Sequence, residues 1–94
     1  MQIQDLDTPA ALIDHARLQH NVQRMQQRMS ALGVRLRPHV KTAKCVPVAQ
    51  LQAQAGASGI TVSTLKEAAV FFDAGFADIL YAVCVEPHKL ATVQ

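Results

Sequence analysis

The sequence has no tryptophan, one tyrosine and three phenylalanines, so aromatic residues fill only 4% of its 94 positions. Proteins that bind single-stranded nucleic acid stack bases on aromatic side chains, and that platform is missing. Charge is scarce as well: Asp, Glu, Lys and Arg make up 17%, and nine cations against seven anions leave a formal +2. Such an excess is too small for a general polyanion binder. The two cysteines, Cys45 and Cys84, form no CxxC pair and cannot build a disulfide framework; each is expected to be a small buried residue. No apolar run approaches the roughly 20 residues of a membrane span. The opening Met1-Gln2-Ile3-Gln4-Asp5 lacks the basic and apolar regions of a signal peptide. These absences point to a cytoplasmic protein with neither a nucleic-acid nor a membrane partner. What is abundant is aliphatic: half the chain is apolar, a globular composition.

Helical and strand periods alternate along the chain. After Asp14, the residues Leu18, Val22, Met25, Met29 and Leu32 recur at helical spacing, which predicts a helix with one buried stripe, capped by Asp14 and ended at Gly33. Val34 to Thr42 reads as a strand. A second helix is expected from Pro47 to Gly56, followed by a strand over Gly59 to Ser63. Thr64-Leu65-Lys66-Glu67 is a capping-box signature opening a third helix that ends at Gly75. Ile79 to Val85 is an apolar third strand, and Glu86-Pro87 starts a fourth helix. This is the rhythm of β/α units with parallel strands and right-handed crossovers.

An open doubly wound sheet and a β/α barrel share that rhythm. The first strand separates them. Val34, Leu36, Pro38 and Val40 alternate with Arg35, Arg37, His39 and Lys41, so one face is cationic. A central strand of an open sheet is apolar on both faces; a strand with a polar inner face suits a barrel whose chemistry lies at the strand C-terminal ends. A barrel takes about 250 residues. The expectation is therefore an α/β chain in which residues 1–94 form the N-terminal portion of a (β/α)8 TIM barrel, with further strands supplied elsewhere. Alone, these residues are expected to be inactive.

Arg37-Pro38-His39-Val40-Lys41-Thr42 carries the most chemistry. Lys41 falls at the predicted strand end, on the face of His39 and Arg37. Neighbouring cations and partial burial both disfavour an ammonium there, and a free amine attacks carbonyls to form a Schiff base. Spacing alone is equally consistent with a basic edge strand whose charged face is solvated. His39 either tunes Lys41 and borders a ligand or is a packed, hydrogen-bonded histidine. Arg37 either lends positive charge to a site or forms an interior ion pair. Thr61 and Ser63 either face a ligand or fill the barrel interior. Lys44 reads as a surface lysine competing with Lys41, and His15, His20 and His88 as solvent-facing residues on helices.

Leu36-Arg37-Pro38-His39-Val40-Lys41-Thr42, with Gly59-Ile60-Thr61-Val62-Ser63-Thr64-Leu65-Lys66-Glu67-Ala68, Asp78-Ile79-Leu80-Tyr81-Ala82-Val83 and the opening Leu6-Asp7-Thr8-Pro9-Ala10, resembles the fold-type III pyridoxal-phosphate enzymes. Within them it is similar to the D-serine dehydratase/D-threonine aldolase family, especially its D-threo-3-hydroxyaspartate dehydratase branch. Many relatives read KTHK where this chain has Lys41-Thr42-Ala43-Lys44. The resemblance implies an alanine-racemase-type barrel and a bacterial, pyridoxal-phosphate-dependent lyase working as a homodimer. Lys41 would carry the cofactor and act as base, with His39 and Arg37 also placed at the cofactor. The implied substrate is a D-β-hydroxy amino acid such as D-serine, D-threonine or D-threo-3-hydroxyaspartate, dehydrated to a keto acid and ammonia. Retro-aldol cleavage to glycine and an aldehyde is the alternative, as is a non-catalytic carrier of the same fold. A divalent metal, zinc or manganese, near the substrate hydroxyl is also implied, held by a C-terminal domain; no residue of this chain is nominated as its ligand.

Overall fold

The computed structural model describes residues 1–93. Three long helices form where the capping residues place them. Helix α1 spans His15–Ala31, and the Asp14 carboxylate at its cap accepts the Arg17 N–H at 3.1 Å. Helix α2 spans Val46–Ala55 with Pro47 in its first turn, where a missing N–H costs nothing. It ends at Gly56, whose φ of +122° is open to glycine, and there the Gln26 side chain of α1 comes within 3.3 Å of where a Cβ would stand. Helix α3 spans Leu65–Asp73, and the Thr64 hydroxyl accepts the Glu67 N–H at 3.0 Å. Losing that cap in Thr64→Ala should cost about 1 kcal/mol, read as a lower denaturation midpoint; an unchanged midpoint would show that the cap contributes nothing. A 3₁₀ turn at Pro87–Lys89 leads into α4, Leu90–Val93.

Two strands pair in parallel: β1, Ile60–Val62, and β2, Ile79–Tyr81, with Ile60 opposite Ile79 and Val62 opposite Tyr81. The expected first strand is present in reduced form. Residues 34–39 run alongside β1, but pairing is confined to a single parallel bridge between His39 and Thr61. Pro38 has no N–H to donate, which interrupts the ladder. The chain then turns at Val40, whose carbonyl accepts the Lys44 N–H at 2.9 Å, so the strand stops short of the expected Thr42. β2 is likewise shorter than the apolar run to Val85, because its partner β1 ends at Val62 and the last rung is Ala82 N–H to Val62 C=O.

The three extended segments lie in sequential order, 34–39 beside β1 beside β2, which is the progression of a barrel wall. Val40, Ala49, Ile60, Val62 and Phe71 form the core, with Val46, Ala68, Phe76, Ile79 and Tyr81 packed around it. Phe71 meets Phe76 edge-on, ring centroids 5.7 Å apart. Helix α1 departs from the expected stripe. None of its residues is fully buried, and Leu18, Val22, Gln26 and Met29 are the half-covered ones, while Met25 and Leu32 are exposed. It packs on α2, and the contact face follows the 3.6-residue period through Gln26. Cys84 is exposed and Cys45 half-buried, so neither is the fully buried residue expected. Among the described residues, no helix is long and apolar enough to cross a membrane.

Candidate functional site

The candidate site is the turn that follows the His39 bridge, at the C-terminal edge of the parallel segments. Its backbone is anchored on both sides of Lys41. Upstream, the Val40 N–H donates to Thr61 C=O at 3.0 Å, the Thr61 N–H donates to Pro38 C=O at 2.8 Å, and the Val40 side chain is buried in the core. Downstream, the Lys44 N–H closes the turn onto Val40. Lys41 itself is exposed, not partly buried as expected, on a turn hydrogen-bonded at both ends. His39 is half-buried and accepts the Lys41 backbone N–H on Nδ1 at 3.2 Å. That bond places the proton of the neutral ring on Nε2, which is then the imidazole's free donor.

Thr61, buried and bridged to His39, leads to Ser63 and Thr64 at the same edge. The hydroxyls of Ser63 and Thr64 both donate to Glu67 Oε1 at 3.2 Å, and the second carboxylate oxygen, Oε2, is buried without a protein partner. Glu67 was legible in the sequence only as a helix-capping residue; its contact with Ser63 depends on how β1 runs into α3.

Arg37 sits at the opposite edge. Its guanidinium pairs with both oxygens of Asp78, at 2.8 and 2.9 Å, and donates to the carbonyls of Ile60 and Asp78 at 3.2 and 3.3 Å. Ile60 opens β1 and Asp78 immediately precedes β2, so this cluster marks the N-terminal ends of the strands. The structure therefore brings His39 and Lys41 together and directs Arg37 away from them. Lys44 is exposed at the end of the turn, and His15, His20 and His88 are exposed as expected.

The Arg37 hydrogen bonds hold the Asp78 carboxyl below the ordinary aspartate range, and Asp78 in turn raises the Arg37 guanidinium. A carboxyl lowered by folding favours the folded state above its unfolded pKa, and the benefit fades as pH falls through the lowered value. The pair is thus intact at neutral pH and released only in acid. A carbon NMR titration should show the Asp78 midpoint rising towards the ordinary range in Arg37→Ala; an unmoved midpoint would break the assignment.

Residues 13–94 match the family model described as alanine racemase, N-terminal domain. The chain belongs to the alanine racemase N-terminal domain family. The resemblance drawn from the Arg37–Thr42 run and the barrel expectation are both borne out. The chain is 72% identical over 85 residues to D-threo-3-hydroxyaspartate dehydratase of Delftia sp. strain HT23, covering 90% of this chain and 22% of that protein. It is 38% identical over 93 residues to D-serine dehydratase of Dictyostelium discoideum, covering 94% and 23%. The solved Delftia dehydratase superposes with a TM-score of 0.90 at 69% identity over 94% of this chain and 23% of that one; one mutant of it was solved in a metal-free form. D-threonine aldolase from Filomicrobium marinum gives 0.89 at 36% identity over 97% of this chain and 25% of that one. The chain spans about a quarter or less of the length of these relatives. Among the described residues, no three His, Cys, Asp or Glu side chains gather as a metal site.

Proposed function

We propose that this chain is the lysine-bearing part of a pyridoxal-phosphate-dependent lyase that dehydrates a D-β-hydroxy amino acid to a keto acid and ammonia. The observation that carries it is the exposed Lys41 amine on an anchored turn at the C-terminal edge of parallel barrel strands. A primary amine so placed fits the aldehyde of pyridoxal phosphate. Bound there, the cofactor supplies an electron sink for negative charge at the substrate Cα.

The roles of the chain's own residues follow from their placement. Lys41 would hold the cofactor through Nζ, and its amine would be the base that takes the proton from the substrate Cα. His39 fixes the turn by accepting the Lys41 backbone N–H on Nδ1. Arg37 acts at one remove, through the strand that carries the lysine. A divalent metal, zinc or manganese, would be held by residues outside 1–93, since those residues offer no cluster for one. The full protein is read as a cytoplasmic homodimer.

The test is product analysis on the full-length protein, loaded with pyridoxal phosphate and given D-threo-3-hydroxyaspartate, D-serine and D-threonine in turn. Ammonia and a keto acid in equal amounts are expected. Glycine with an aldehyde would establish the aldolase instead, and no product from any of the three would favour a carrier.

A further inference from the structure

The segment that carries Lys41 is tied lightly to its neighbour. Among the described residues its backbone bonds to the β1 region are Ser58 N–H to Leu36 C=O, Thr61 N–H to Pro38 C=O and Val40 N–H to Thr61 C=O. Pro38 can donate none. Yet register matters acutely on this segment, because a slip of one residue sends every side chain to the other face. A slip would also carry Lys41, which follows this segment, away from its place at the strand end.

We propose that Arg37, Asp78 and Gly59 form a register clamp that fixes the 34–40 segment against both strands and so presents Lys41 at the C-terminal edge. The inference rests on the assignment of Lys41 as the cofactor lysine and names the residues that position it. From its own segment, Arg37 reaches over the start of β1 to the residue before β2, so one side chain ties three parallel segments. The guanidinium is a rigid planar fork, matched bidentately to the Asp78 carboxylate.

Gly59 makes room for the fork. A Cβ there would stand 2.6 Å from Arg37 Nη1, 2.7 Å from the Asp78 carbonyl oxygen and 2.8 Å from Asp78 Cγ, and the φ of +152° is itself one that L side chains rarely adopt. The clamp senses register by distance: one residue of slip moves the fork about 3.3 Å along the strand, beyond hydrogen-bond reach of its acceptors. It also sits at the far end from Lys41 and leaves the reactive edge clear. Arg37 and Asp78 are positioning residues, touching neither cofactor nor substrate.

The experiment compares the full-length protein with Asp78→Asn and Arg37→Lys, the latter keeping the charge and losing the fork. Amide hydrogen exchange reads the seams separately: Thr61 and Val40 report the seam to the lysine segment, and Ala82 reports the β1–β2 seam. Loss of charge-assisted bonds should speed exchange at Thr61 and Val40 roughly tenfold and leave Ala82 unchanged. Pyridoxyl labelling of Lys41, trapped with borohydride at limiting pyridoxal phosphate, should fall in parallel. Equal acceleration at Ala82 would reveal general loosening and overturn the clamp, as would unchanged exchange at Thr61 and Val40. Labelling of a lysine other than Lys41 in the parent protein would overturn the cofactor assignment, while the seam comparison would still decide the clamp.

Discussion

Replacing Lys41 with alanine in the full-length protein is expected to abolish covalent attachment of pyridoxal phosphate, whereas Lys44→Ala is expected to leave it intact. The two lysines stand three positions apart and both lie on backbone tied to Val40, so what distinguishes them is their distance from the end of the parallel segment. Lys41 follows directly on Val40, whose side chain is in the core and whose N–H is bonded to Thr61. Its own N–H is bonded to His39, the one bridged residue of its segment. Lys44 stands past the turn with a φ of +49°, outside the strand direction. Barrel chemistry gathers at the C-terminal ends of the strands, which favours the amine that follows the bridged segment directly over the one beyond the turn. Borohydride reduction of the loaded protein followed by peptide mass mapping locates the adduct. In Lys41→Ala the label should drop to background and the visible absorbance of the bound cofactor should vanish. A pyridoxyl group on Lys44 would overturn the assignment.

Phe71→Ala should be the most damaging substitution away from that turn. Phe71 is 3% exposed, lies in the core with Ile60 and Val62, and meets Phe76 edge-on. Removing a ring from such a position costs about 3–5 kcal/mol, through lost transfer energy and the cavity left behind. That is a large share of the roughly 5–15 kcal/mol that holds a folded domain together. Because Phe71 sits on α3 and packs against β1, the loss falls on the wall that orients Thr61 and, through it, His39. Urea denaturation of the full-length variant measures it, and a cost below about 1 kcal/mol would mean the site collapses without a cavity.

The helix boundaries were legible because their signals are local. Asp14, Pro47 and Thr64 act within a turn of where they stand, and the structure uses all three as the sequence implied. Strand ends were less legible, since alternation reports which side chains are covered and says little about where backbone pairing stops. The Arg37–Lys41 alternation continues past the point where Val40 turns the chain towards Lys44. The apolar run to Val85 outlasts its partner, which leaves the sheet at Ser63 to cap α3. Lys41 and His39 are legible as neighbours because their motif is contiguous. Asp78 was passed over because its partner lies 41 residues upstream, and only the parallel register brings the two charges together.

That separation also bears on the order in which the chain assembles. Each neighbouring pair of extended segments is joined through about twenty residues, His39 to Thr61 and Ile60 to Ile79, and short closures of this kind carry little entropic cost. During synthesis, at roughly 5–20 residues per second, the lysine segment can meet β1 before Asp78 has been made. For about 1–3 s at that rate the contacts open to it are three backbone bonds, the Arg37 bond to the Ile60 carbonyl and the burial of Val40. Asp78 is the last-made member of the cluster, so the ion pair forms only once the lysine segment and β1 are both present.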